Sequence, residues 1–113
     1  MREFLLVFFF FFQPPKVEVL KKLEYQALIA EGYTILDVRT PEEFKEGHIQ
    51  GAQNINVKDD SFRTEIQKIS PSDTLLVYCR SGRRSHYAAQ VMVSFGFQKI
   101  YDLEGGFLNW KKK

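Results

Sequence analysis

Cysteine, tryptophan, methionine and histidine are all scarce in this 113-residue chain, which holds one Cys, one Trp, two Met and two His. A lone cysteine, Cys79, excludes an intramolecular disulfide framework, so stability must come from packing. Two separated histidines, His48 and His86, and one cysteine offer no zinc-ligand spacing, and no metal is expected. A dominant charge is lacking too. Sixteen basic residues against 14 acidic ones leave a net charge of +2, without the basic surface that a nucleic-acid partner requires. The longest apolar run, Phe4 to Phe12, has nine residues. As a helix it rises only ~13 Å against a hydrocarbon core of ~30 Å, so it is no spanning helix. Internal repeats are absent, and the length allows one domain of ordinary size.

Phenylalanine, by contrast, is abundant and unevenly placed, with six of its 11 copies in the first twelve residues. The run behind Arg2 has the length of the apolar region of an export signal, but Gln13-Pro14-Pro15 stands where a small-residue cleavage site belongs. Residues 1–15 are therefore read as an apolar leader. As an atypical export signal it implies an exported or periplasmic protein; as an added strand or a misassigned start it implies a cytoplasmic one. Pro14-Pro15 marks the boundary to a single domain over residues 16–113, for which a monomer is expected.

Within that domain short β-rich runs alternate with helical patterns. Strands are predicted at Val17–Leu20, Tyr33–Val38, Ala52–Val57, Thr74–Tyr78 and Lys99–Asp102. The second and fourth are nearly continuous apolar runs of the kind buried on both faces. Helices are predicted from Leu23 to Glu31, stopped by Gly32; from Thr40-Pro41-Glu42-Glu43 to about Glu46, stopped by Gly47; and, weakly, from Phe62 to Ile69. Another follows the segment Cys79 to Ser85, with Ala88, Val91, Met92 and Phe95 at i, i+3, i+4 and i+7. A last turn opens at Gly105-Gly106 and carries Phe107, Leu108 and Trp110. Such alternation implies an open, mostly parallel five-stranded α/β sheet with helices on both faces, whose ligands sit at the carboxyl ends of strands.

Cys79 stands at such an end, before a helix whose first turn offers free N–H groups and roughly half a positive charge. Arg80, Arg83 and Arg84 place three cations within five residues. Each influence favours a thiolate over a thiol, and so a nucleophile. An inert packed cysteine is the ordinary alternative, but it needs no anion cradle. Gly82 lets the backbone turn without a Cβ in the way.

The blocks LDVRTPEEFKEGHIQGAQNI (Leu36 to Ile55), YCRSGRRS (Tyr78 to Ser85) and LEGGFLNW (Leu103 to Trp110) resemble, in order and spacing, the signature segments of a single-domain rhodanese. The resemblance spans about Val17 to Trp110 and implies a rhodanese-like sheet and a sulfurtransferase. In that role Cys79 takes a sulfane sulfur from a small donor such as thiosulfate, forms a persulfide, and passes the sulfur to a thiol, a protein thiol included, or to cyanide. It implies no cofactor. Attack by a thiolate on a sulfur–sulfur bond expels sulfite and needs no general base. The loop amides of Arg80, Ser81, Gly82, Arg83 and Arg84 are expected to surround the persulfide while guanidinium groups hold the anion.

Phosphatases and arsenate reductases of the same fold look like Cys-x5-Arg, whereas Arg84 follows Cys79 at Cys-x4-Arg, a smaller ring suited to a sulfur atom. Rhodanese-like domains also serve as non-catalytic binding modules, often without the cysteine. Asp37 and Arg39 match positions that the family uses structurally, with Glu43 as a further ionic partner. His48 is expected to be a hydrogen-bonded turn residue, and His86 a surface residue of the helix.

Overall fold

The nearly continuous apolar runs at Thr34–Asp37 and Thr74–Tyr78 form strands, and the stripe of Ala88, Val91 and Met92 lies on a helix. The computed structural model describes residues 14–113, so the expected leader lies outside the described residues except for Pro14 and Pro15, which directly precede the first strand. The elements are β1 (Lys16–Leu20), α1 (Lys22–Ala30), β2 (Thr34–Asp37), α2 (Pro41–Glu46), β3 (Gln53–Asn54), α3 (Phe62–Ile66), β4 (Thr74–Tyr78), α4 (Arg83–Ser94), β5 (Lys99–Leu103) and α5 (Gly106–Trp110). Among the described residues no helix is long and apolar enough to cross a membrane.

The five strands form one sheet in the order β1-β5-β4-β2-β3, with every pairing parallel. Each link between successive strands carries a helix, as a parallel crossover demands. β4 lies at the centre, and its side chains divide by the period of two that a strand imposes. Leu75, Val77 and Cys79 join Phe62 and Ile66 of α3 and Ala88, Ala89 and Met92 of α4 in one apolar cluster. Leu76 and Tyr78 join Tyr25 of α1, with Phe107 and Trp110 of α5 packed against them, on the other face. Helices therefore cover both faces.

Several boundaries differ from expectation. The third strand is two residues long instead of six, because beyond Asn54 the chain meets only the last residue of β2 and the one after it: the Ile55 and Val57 amides donate to the Asp37 and Val38 carbonyls at 2.9 and 3.1 Å. α3 stops at Ile66, and three-residue turns carry the chain to Ile69. α4 begins at Arg83, inside the segment read as loop, since Gly82 adopts φ +116° and reverses the backbone within one residue. Phe97, beyond the expected end of the apolar stripe, is more deeply buried than Phe95.

Candidate functional site

The carboxyl end of β4 lies between those of β2 and β5, so Cys79, one residue past Tyr78, is flanked by both neighbours. Its side chain belongs to the core, 1 % exposed, yet its sulfur is met by a polar group: the Gly82 amide donates to Sγ at 3.0 Å. The reversal at Gly82 aims that N–H back at the thiol. A Cβ built on Gly82 would meet nothing within 4 Å, so the space before the loop is open.

α5 holds the other side of the loop. The Phe107 and Leu108 amides donate to the Cys79 and Arg80 carbonyls at 2.8 and 3.0 Å. Gly106 permits this approach, because a Cβ there would stand 2.6 Å from the Cys79 and Arg80 carbonyl oxygens. The Gly105-Gly106 doublet was legible as a turn; its contact with the cysteine loop was not.

The arginines separate into two roles. Arg80 and Arg83 are exposed and make no salt bridge among the described residues. Arg84 turns aside: its Nη1 and Nη2 donate to Glu43 Oε1 and Oε2 at 2.6 and 2.8 Å. The Arg84 guanidinium, helped by the Thr40 amide and hydroxyl, holds the Glu43 carboxyl down at about 2. Arg84 is thereby a brace between α4 and α2. Glu43 itself is fixed by a capping box at the start of α2, where its amide bonds Thr40 Oγ1 and its Oε1 accepts from the Thr40 amide.

Arg39 does not pair with Glu43. It forks onto Asp37, with Nε and Nη2 at 3.1 and 2.6 Å from Oδ2, and Nη2 also donates to the Gly47 carbonyl at 2.7 Å. The Tyr78 hydroxyl donates to the same Asp37 oxygen at 2.6 Å and accepts from the Ile49 amide at 3.0 Å. Burial and that bond to Asp37 push the Tyr78 phenol well above its ordinary range. The Arg39 guanidinium lies beside the stacked Phe107 and Tyr78 rings, 4.5 and 5.5 Å from their centroids. This buried network ties β2, β4 and the turn after α2 together behind the loop. A cavity of about 190 Å³ opens beside it, lined by Arg39, Glu43, Arg80, Phe107 and Lys111 among others.

His48 is stacked on Phe44 and bonds its carbonyl through Nδ1 at 2.8 Å; His86 is exposed on α4. Among the described residues no cluster of His, Cys, Asp and Glu is arranged to hold a metal.

A family model described as the rhodanese-like domain matches residues 20–113. The chain is 34 % identical to rhodanese-like domain-containing protein 17 of Arabidopsis thaliana, over 100 % of this chain and 86 % of that protein. It is also 34 % identical to thiosulfate sulfurtransferase 18 of the same plant, over 75 % of this chain and 71 % of that one. Among solved structures, a rhodanese-related protein of Thermoplasma volcanium superposes with a TM-score of 0.73 at 29 % identity, covering 82 % of this chain and 89 % of its own.

Proposed function

Because the chain belongs to the rhodanese-like domain family and has named sulfurtransferases among its relatives, we propose that it moves a sulfane sulfur from thiosulfate or a similar donor to a thiol or cyanide, with Cys79 as the carrier. The observation that carries this reading is the Gly82 amide aimed at the buried Sγ of Cys79 at 3.0 Å, beside Arg80 and Arg83, which make no salt bridge among the described residues. An N–H bonded to sulfur stabilises the anionic form of a thiol or a persulfide more than the neutral one.

In the first half-reaction the Cys79 thiolate attacks the outer sulfur of thiosulfate. The Sγ–S bond forms as the donor's sulfur–sulfur bond breaks, and sulfite departs with the electron pair. Arg80 and Arg83 are the cations available to bind the arriving dianion and the leaving sulfite. In the second half-reaction an acceptor thiolate or cyanide attacks the terminal sulfur of the persulfide and returns Cys79 to thiolate. No proton must be taken by a side chain, which suits a loop without a base. Arg84 acts at one remove, since its fork is occupied by Glu43; this also separates the loop from one built to grip a phosphoryl group.

The test is thiocyanate formation from thiosulfate and cyanide, with intact-mass analysis of the protein after thiosulfate alone. Wild type forms thiocyanate and gains the mass of one sulfur atom, and Cys79→Ser does neither. Absence of both in wild type, across several sulfane donors, overturns the reading.

A further inference from the structure

One buried acid at the site has no part in the scheme above. Asp102 lies on β5 at a core-facing position, 4 % exposed, and its Oδ1 is buried without a hydrogen-bond partner. In register it stands between Val19 of β1 and Val77 of β4, which give it no polar side chain. From α4 the buried Ser85 and the exposed His86, and from α1 the Tyr25 phenol, are near enough to bear on its charge. Ser85 has a second neighbour. Its Oγ donates to the Gly82 carbonyl at 3.2 Å, and that carbonyl also accepts the His86 amide at 3.2 Å. Gly82 is the residue whose own amide meets Cys79 Sγ.

We infer that Asp102 is a positioning residue for the Cys79 loop, drawing the Ser85 hydroxyl away from the Gly82 carbonyl when its carboxyl loses its proton. The inference rests on the sulfurtransferase reading for its consequence, but not for its geometry. A hydroxyl has one proton to give. With Asp102 protonated, the carboxyl O–H donates to Ser85 Oγ and the Ser85 proton stays on the Gly82 carbonyl. With Asp102 ionised and its proton released to solvent, the charged oxygen is the stronger acceptor and takes the Ser85 proton, leaving Gly82 with the His86 amide alone. Gly82 has no Cβ and the place one would take is empty, so a change in the bonds on its carbonyl can tilt its flanking peptides, and the N–H on Sγ tilts with them. Burial raises the Asp102 carboxyl to about 6, against smaller opposing effects of Ser85 and His86, so the switch falls close to neutrality.

The experiment follows the Gly82 amide resonance by ¹H–¹⁵N NMR between pH 5 and 8, with thiocyanate formation measured over the same range. In wild type the resonance shifts with a midpoint near pH 6; Asp102→Asn, which keeps the shape but cannot ionise, abolishes the shift, and Ser85→Ala, which removes the relay, does the same. Imidazoles also titrate in this range, so His86→Gln is included and retains the shift. A flat Gly82 resonance in wild type, or a shift that survives in Asp102→Asn, overturns the inference even if thiocyanate forms normally. A Gly82 shift that follows Asp102 in a protein that never forms thiocyanate leaves the positioning role standing and removes the sulfurtransferase reading instead.

Discussion

Glu43 and Arg84, 41 residues apart in sequence, close a two-bond fork of 2.6 and 2.8 Å that fastens the first turn of α2 to the first turn of α4. One of the three cations that follow Cys79 is thus spent on architecture, while Arg80 and Arg83 make no salt bridge among the described residues.

Glu43→Gln removes the charge from this fork. Arg84 holds the Glu43 carboxyl from 4.5 down to about 2, so its contribution is complete above about pH 4.5 and lost as pH falls through 2. With the two side chains 20 % and 26 % exposed, solvent screening limits the expected loss at pH 7 to about 1–2 kcal/mol. Denaturant unfolding at pH 7 and near pH 2.5 measures it, and the difference between wild type and variant shrinks at the lower pH.

Gly106 and Gly51 separate strain from collision. Both have positive φ, +61° and +88°, but a Cβ on Gly51 meets open space while one on Gly106 strikes the Cys79 and Arg80 carbonyls. Gly51→Ala is expected to cost about 1–2 kcal/mol of stability from the left-handed backbone alone and to leave sulfur transfer intact. Gly106→Ala costs more, and by pushing α5 off the loop it lowers kcat/KM by roughly a hundredfold. Gly82 shares the positive φ, so even Gly82→Ala destabilises the fold as well as the site.

Tyr78→Phe deletes a single oxygen that serves two buried partners, Asp37 Oδ2 and the Ile49 amide. Both are left short of a bond in the interior, and the expected loss is about 2–4 kcal/mol. Equilibrium unfolding reports it, with the denaturant slope unchanged because the exposed area is the same.

Asp102→Asn is expected to stabilise. A carboxyl raised from 3.8 to about 6 by burial binds its proton more tightly when folded, so stability falls as pH rises across that interval and the cost is complete above it. The amide escapes this cost, which is up to about 3 kcal/mol at pH 7. Thermal unfolding against pH shows the gain at pH 7 and its disappearance below about pH 4.

The elements that positioned the site were mostly legible because their signals are local. Apolar continuity in Thr34–Asp37 and Thr74–Tyr78 marked buried strands, and Thr40-Pro41 with Glu43 marked a capped helix start. The third strand was overread because the apolar residues Ile55 and Val57 continue beyond Asn54, where the chain has reached the end of β2. The acid inside Lys99–Leu103 was the available sign of an unusual buried group, since Ile100 and Asp102 share a face by the period of two.

Sequence by itself determined the α/β alternation, the position of Cys79 at a strand end, the cation density after it and the turn at Gly82, because each depends on residues adjacent in the chain. Only the tertiary structure decided which of the arginines carry an ion pair, which carboxylate holds Arg39, how close Gly106 comes to the loop, and that Asp102 is buried with one oxygen unpartnered. Those are distances between elements brought together by the strand order β1-β5-β4-β2-β3. A charge acquires its role from the partner within hydrogen-bond reach, and no local pattern specifies that partner.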